Sequence, residues 1–184
     1  MTVPADLDRR FREAAEREGL VDVAYDLAPS PVGDLLVAVT ERGLCRVAFH
    51  PDEALDELVT NFSARVLRIP RRLDRVRGQL DEYFSGRRRE FDLDTDLSPV
   101  PAFQQQVLLA LARVPFGEVT TYGGLAAKIG KPRAARAVGG ALNRNPVPIV
   151  LPCHRVIGST GSLVGYGGGL ERKEALLRLE GALL

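Results

Sequence analysis

The chain has 184 residues, 45% of them apolar, with 25 Lys or Arg against 24 Asp or Glu. That length and apolar content suffice for one or two small cores and exclude a disordered chain, and no apolar run approaches the roughly 20 residues that span a bilayer. Two cysteines, Cys45 and Cys153, exclude a disulfide framework and suit a reducing compartment; Met1 to Arg12 lacks the apolar stretch of an export signal, so a cytoplasmic protein is expected.

The near-neutral net charge hides a segregation. Residues 1–101 carry 15 basic and 20 acidic side chains, whereas residues 102–184 carry 10 and 4. A basic C-terminal part attracts a polyanion through counterion release, and the acidic part stays off it, so nucleic acid is the expected partner.

In chain order, residues 1–20 read as a charged helical extension. An α/β domain over 21–97 follows, with a small antiparallel sheet. Asp34 to Thr40 and Gly43 to Phe49 are β-rich runs separated by Glu41-Arg42, the pattern of a hairpin. Cys45, among Leu44, Val47 and Phe49, is expected in the core. Asp52 to Phe62 and Leu73 to Phe84 have helical spacing, the second ending near Gly86, with Arg87-Arg88-Arg89 as a solvated basic run. Acids and two prolines in Asp92 to Pro101 mark a linker, so a mainly α C-terminal domain is expected over 98–184.

There, Phe103 to Arg113 reads as a packing helix with Phe103, Val107, Leu108 and Leu111 on one face. Thr120 or Thr121 caps a short helix through Ile129, and Pro132 starts a second running to about Asn143, which together make a helix-turn-helix candidate. The second helix has a nearly bare surface: Ala134, Ala135, Ala137, Gly139, Gly140 and Ala141. Glycine inside a helix costs about 1 kcal/mol relative to alanine, so two in succession imply close approach to another backbone. With Arg133 and Arg136 near its start, this helix suits lying close to a duplex and inserting one residue, rather than reading base edges with long side chains.

The run Pro146 to Leu151, with prolines at 146 and 148, is expected to be an extended buried strap that presents Pro152-Cys153-His154-Arg155. A thiol beside an imidazole is a nucleophile candidate, because such a neighbour lowers the thiol's pKa toward working pH. Cys153 and His154 are adjacent, without the spacer of a structural zinc pair, and the chain's remaining soft or imidazole ligands are Cys45 and His50, so no metal is expected. No phosphate-binding glycine loop suggests a cofactor.

Gly117-Glu118-Val119-Thr120-Thr121-Tyr122-Gly123-Gly124, Ala134 to Ala141, Asn145-Pro146-Val147-Pro148, Pro152 to Gly158, and the tail with Gly165-Tyr166, Gly168-Gly169-Leu170, Lys173-Glu174 and Glu180 stand in one order. Together they resemble the O6-alkylguanine-DNA alkyltransferases, the methylated-DNA-protein-cysteine methyltransferase family. The resemblance implies a ribonuclease H-like N-terminal domain, a winged helix-turn-helix-like C-terminal domain, and repair of double-stranded DNA containing O6-alkylguanine, chiefly O6-methylguanine with O4-methylthymine as a second candidate. It also implies residue roles. Cys153 takes the alkyl group irreversibly, His154 acts through a bridging water, and Glu180 orients His154. Tyr122 donates a hydrogen bond to the guanine ring nitrogen, and Asn145 is a backbone hinge. Arg136 fills the gap left by the flipped nucleotide on a DNA-facing surface with Arg133, Ala135, Ala137 and Gly139. Tyr122, Val156, Tyr166 and Gly167 line the base pocket. No cofactor and no obligate protein partner are implied, and cooperative binding along DNA is left open. The structural zinc of some relatives would lack ligands here, and Gly167, where many relatives carry a larger residue, would open the pocket rim. Two other readings have distinct signatures: a non-catalytic lesion binder, which replaces the cysteine, typically by tryptophan, a residue this chain lacks, and an unrelated cysteine hydrolase, which would turn over an ester.

Overall fold

The computed structural model describes residues 4–62 and 65–183. Helix α1, Ala5–Arg17, leads into strand β1, Val23–Ala28. β2, Leu35–Thr40, and β3, Gly43–Ala48, form the expected hairpin; helix α2, Pro51–Asn61, follows, then the short strand β4, Val66–Arg68. The sheet order is β3-β2-β1-β4, antiparallel except for the parallel β1–β4 pair. Side chains alternate between its faces. Val23, Leu36, Ala38, Cys45 and Ala48 pack with Ala54 and Leu58 of α2, so Cys45 lies in the core as expected. Ala24, Ala28, Leu35, Val37, Leu44 and Val47 face the other way, toward helix α3, Asp74–Phe84. Asp26, buried in β1, is paired with Arg68 and Arg77 and joins β4 and α3 across the sheet.

This second face continues without a break into the C-terminal part. Val107, Leu108 and Leu111 of α4, Ala102–Leu111, join it, as do Leu125 of α5, Tyr122–Lys128, Val138 of α6, Ala135–Asn143, and Leu176 of α7, Leu170–Leu179. Thr121 caps α5 by accepting from Gly124 N at 2.9 Å. Helix α6 begins at Ala135, not at Pro132: residues 132 and 133 form the turn before it, so the proline opens the last turn of the α5–α6 connection instead of the helix. Strands β5, Thr120–Thr121, and β6, Val156–Ile157, pair in parallel beside the helices.

Two expected surface features are structural. The acidic linker pairs with the edge of β3: Leu44 N donates to Asp94 O at 2.8 Å and Asp96 N to Leu44 O at 2.9 Å, while Thr40 Oγ1 donates to Asp96 Oδ2 at 2.7 Å. A linker that covers an unpaired edge satisfies backbone groups that would otherwise be wet. The basic run is likewise engaged, because Arg88 pairs with Glu82 and Arg89 stands over the Phe116 ring at 5.7 Å.

Gly43 shows how close the linker lies. Its φ is +133°, and a Cβ there would collide with the Asp94 carbonyl. Gly43→Ala is expected to destabilise the protein by about 2 kcal/mol, the order of one strained backbone position. Urea unfolding reads this directly, and an unchanged midpoint would show that the linker does not close the β3 edge.

Candidate functional site

The site is assembled around the turn that precedes Cys153. Val147, Pro148, Ile149 and Leu151 are buried and Pro146 and Val150 partly so, but the run is not the expected extended strap. Ile149 has φ +75°, Leu151 N donates to Val147 O at 2.9 Å, and the run folds into a tight turn. The prolines remove donors without imposing extension on the residues between them. Asn145 holds this turn: its Nδ2 donates to Leu151 O at 2.8 Å and to Cys153 Sγ at 3.2 Å, and its Oδ1 accepts from Val147 N at 3.0 Å. The edge of β3 joins as well, Val47 N donating to Pro146 O at 2.9 Å.

Cys153 opens a single 3₁₀ turn, Cys153–Arg155, and is 7% exposed. Burial pushes its thiol up to about 11, against the opposing pull of Asn145, nearby backbone N–H groups and Lys173. This corrects the expectation of a thiol depressed by its neighbour. His154 turns its Nε2 to Glu180 Oε1 at 2.8 Å, and the side chain bonded to Sγ is Asn145. Burial also lowers the His154 pKa, with Glu180 acting in the opposite sense. With Nε2–H donated to a carboxylate, Nδ1 is the unprotonated nitrogen; it is buried and has no protein partner among the described residues.

Glu180 caps the C-terminal end of α7 and is buried. Besides His154 it accepts from Arg155 Nε at 2.8 Å, Arg155 Nη2 at 2.9 Å and the Tyr83 hydroxyl at 2.7 Å. Burial alone would raise its pKa; the bonds from His154 and Arg155 outweigh burial and bring it down to about 2. Arg155 completes its fork with Nη1 on Val114 O at 2.6 Å.

The pocket side is built from α5, α6 and the 162–169 segment. Tyr122, first residue of α5, directs its hydroxyl to Val164 O at 2.9 Å, with Gly165 O at 3.3 Å. Lys173, fully buried in α7, donates to the same Val164 O at 2.8 Å and to Val156 O at 2.6 Å. Tyr166 packs edge-on against Phe49 with centroids 5.8 Å apart, its hydroxyl buried without a protein partner among the described residues. At Gly168 a Cβ would lie 2.6 Å from the Phe49 ring, so glycine there permits this contact. Val156 is buried in β6, and Gly167 is exposed at the rim. A cleft of about 640 Å³ runs from Cys153 past Asn145, Tyr166 and Gly167 to Phe49 and α2.

Arg133, Arg136 and Ala137 are exposed on and before α6, with Ala135 and Gly139 half-buried, away from the thiol. A Cβ on Gly139 would meet the Tyr122 ring at an ordinary 3.6 Å, and one on Gly140 would meet only the end of Arg144. The expected close approach is therefore not to any backbone among the described residues.

Structure thus gathers Cys153, His154, Glu180, Asn145, Tyr122, Val156 and Tyr166, and leaves the α6 arginines on the surface. Arg155, Lys173, Tyr83 and Phe49 are additional members that sequence reasoning gave no role. The spacing of Lys173 from Leu176 and Leu177 places it on the buried face of α7, a signal available in the sequence; nothing comparable marks Tyr83.

Because the Glu180 pKa falls on folding, its contribution to stability is complete above about pH 5 and is lost as pH falls toward 2. Glu180→Gln, which leaves the Arg155 charge less compensated, is expected to be several kcal/mol less stable at neutral pH. On acidification the gap to wild type should narrow. Denaturant unfolding at pH 7 and near pH 3 tests the sign, and a constant gap would show that Glu180 titrates alike in both states.

Comparison with known proteins follows this geometry. Residues 23–97 match the family model described as "6-O-methylguanine DNA methyltransferase, ribonuclease-like domain", and residues 102–182 match its "DNA binding domain". A methylated-DNA–protein-cysteine methyltransferase of Methanosarcina barkeri is 45% identical over 159 residues, 85% of this chain and 96% of that protein. The protein of that name from Mycolicibacterium paratuberculosis is 42% identical over 158 residues, 86% and 92% of the two chains. The solved structure of Mycobacterium tuberculosis OGT in complex with DNA has a TM-score of 0.76 at 41% identity, covering 86% of this chain and 93% of that one. With both family segments matched in order and such relatives aligned over most of their length, the chain belongs to the 6-O-methylguanine DNA methyltransferase family.

Proposed function

We propose that this chain repairs O6-alkylguanine in duplex DNA by transferring the alkyl group to its own Cys153, once per molecule. The observation that carries the reading is the buried Cys153 at the pocket floor, followed by His154 bonded to the low-pKa carboxylate of Glu180. Relatives at 45% and 42% identity bear the name methylated-DNA–protein-cysteine methyltransferase, and OGT has been solved on DNA. We take the division of labour to be an extension over 1–20, a supporting α/β domain over 21–97 and a DNA-binding and transfer domain over 98–184. Among the described residues no helix is long and apolar enough to cross a membrane; we assign the cytoplasm as the site of action.

The chemistry follows from the resting protonation states. A thiol held near 11 is protonated at neutral pH, so its proton leaves as the reaction proceeds. His154 Nδ1, the free end of the imidazole, accepts that proton through a water molecule, and Glu180 stabilises the charge on the ring. Sγ then forms a bond to the alkyl carbon as the bond from that carbon to O6 breaks. The electron pair stays on the guanine, and the proton is returned to it. Asn145 Nδ2, already directed at Sγ, favours developing thiolate character. Tyr122 must exchange its bond to Val164 O for one to the guanine ring, where it stabilises the leaving group. Val156, Tyr166 and the backbone of Gly167 enclose the base. The thioether product is not a disulfide or ester and has no easy route back to thiol, which makes the protein a stoichiometric reagent.

Access to the lesion requires extrusion of the nucleotide. We assign α6 to the DNA, with Arg136 occupying the vacated position and Arg133, Ala135, Ala137 and Gly139 beside it. Small side chains let the helix approach closely, and contacts to phosphates give affinity without sequence preference.

The principal test mixes the full chain with a duplex bearing one O6-methylguanine and measures intact mass and the modified peptide. One methyl group on Cys153 per molecule, without turnover, is expected. Cys153→Ser should abolish transfer and retain DNA affinity within about threefold, since a hydroxyl replaces the thiol without touching phosphate contacts; retained transfer would remove Cys153 as acceptor. Tight lesion binding with unmodified wild-type protein would make the chain a damage sensor.

Arg136→Ala separates extrusion from chemistry. Transfer from duplex is expected to slow by about tenfold or more, the order of an uncompensated loss of stacking, while reaction with free O6-alkylguanine changes by less than about twofold. Single-turnover rates on both substrates measure this, and equal losses would argue against the flipping role.

A further inference from the structure

Glu180 is approached from two directions. His154 and Arg155 reach it from the nucleophile's own turn. Tyr83 reaches it from α3, within the segment matched to the ribonuclease-like domain. Tyr83 is fully buried, and its hydroxyl donates at 2.7 Å to Glu180 Oε1, the oxygen that also meets His154 Nε2. Its ring contacts Phe84, Phe91 and Phe116 at centroid distances of 5.2, 5.3 and 6.2 Å. Phe116 in turn lies under the Arg155 guanidinium at 5.9 Å. Phenylalanine would fill such an aromatic cluster equally well. The hydroxyl is the part packing does not explain, and its partner is the carboxylate behind the candidate base.

We propose that Tyr83 is a positioning residue for alkyl transfer, through which the N-terminal domain holds the Glu180 carboxylate that orients His154. This rests on the reading of Cys153 as acceptor. An oxygen that already accepts from a phenol has less negative charge to offer an imidazolium. Without the hydroxyl, Glu180 attracts the His154 proton more strongly, and the His154 pKa rises. A base must be unprotonated to accept the thiol proton, so the acid limb of the transfer rate then moves to higher pH. The other ionisable groups around the pair are Arg155 and Lys173, whose charges act to lower His154, and Cys153 and Tyr166, whose protons burial retains. Tyr83→Phe removes none of them, and Tyr83 itself keeps its proton because burial and the adjacent carboxylate raise its pKa.

The test is the single-turnover rate of methyl transfer from O6-methylguanine duplex to Cys153 in the full chain, from about pH 5 to about pH 9. For Tyr83→Phe the acid limb is expected to move up by about half to one pH unit, which lowers the rate by about three- to tenfold on the limb itself and by no more than about threefold at neutral pH. DNA affinity should be unchanged. In a Glu180→Gln background the same substitution should leave the pH profile unaltered. An unmoved acid limb accompanied by a lower melting temperature, or an equal effect in both backgrounds, would reduce Tyr83 to packing. If loss of the hydroxyl prevents folding, 3-fluorotyrosine at position 83 keeps the shape and strengthens the donor. It should move the limb to lower pH, and an unmoved limb would overturn the proposal. Wild-type transfer with an unaltered variant profile overturns this proposal alone, whereas wild-type protein that leaves Cys153 unmodified overturns the acceptor reading beneath it.

Discussion

A buried carboxylate organises this molecule. Removing an ion from water costs several kcal/mol even after relaxation, and the cost is recovered only where donors surround it. Glu180 has donors on both oxygens, from α3 and from the 3₁₀ turn after Cys153. The position is unfavourable in another respect, since an anion at a helix C-terminus opposes the helix dipole. Sequence-local forces therefore do not place Glu180 there. The tertiary contacts do, and by satisfying one charge they fix the relative positions of α3, α7 and the nucleophile's turn.

That arrangement determines how Cys153 can react. A thiol near 11 has a thiolate population of about one in ten thousand at neutral pH, so the resting protein is a poor general nucleophile. The same high pKa makes the thiolate, once formed, more nucleophilic than a depressed one. In the proposed mechanism, burial and the neutral His154 are two parts of one solution, in which a base is held ready and deprotonation accompanies displacement. Asn145 serves both the backbone and the sulfur, so the turn geometry and the position of Sγ are set by one side chain. Lys173 does the same for the opposite wall by joining Val156 O to Val164 O.

Local patterns were readable where local physics decides. The β2–β3 hairpin, the helices at 51–61, 74–84 and 102–111, the Thr121 cap and the burial of Cys45 follow from alternation, helical spacing and turn chemistry. The departures arise where distant segments decide. Asp92 to Asp96 is acidic and looks like a free linker, yet the unpaired edge of β3 recruits its backbone. The 146–151 run has the prolines of an extended strap, but Asn145 and the β3 edge fold it into a turn. Adjacency of Cys153 and His154 led to the expectation of a depressed thiol, whereas burial raises it and the imidazole turns to Glu180, 26 residues away. Tyr83 lies 97 residues from the carboxylate it serves, and its α3 spacing marks it only as core.

Helix α6 extends this logic to the surface. Val138, Ala141 and Leu142 face inward, and those three contacts explain its packing on α4 and α5. They do not explain Gly139 and Gly140, since alanine would fit at both without a close contact inside the protein. Two glycines that weaken a nine-residue helix without serving its core leave the outer face as the place where smallness matters. Arg133, Arg136, Asn143 and Arg144 flank that face, in the half of the chain that carries the positive charge. A helix flat in the middle and basic at both ends fits the wall of a groove lined by phosphates. Cys153 comes nine residues after the C-cap Arg144, so the fold delivers the nucleophile and the surface proposed to face DNA on one short length of chain.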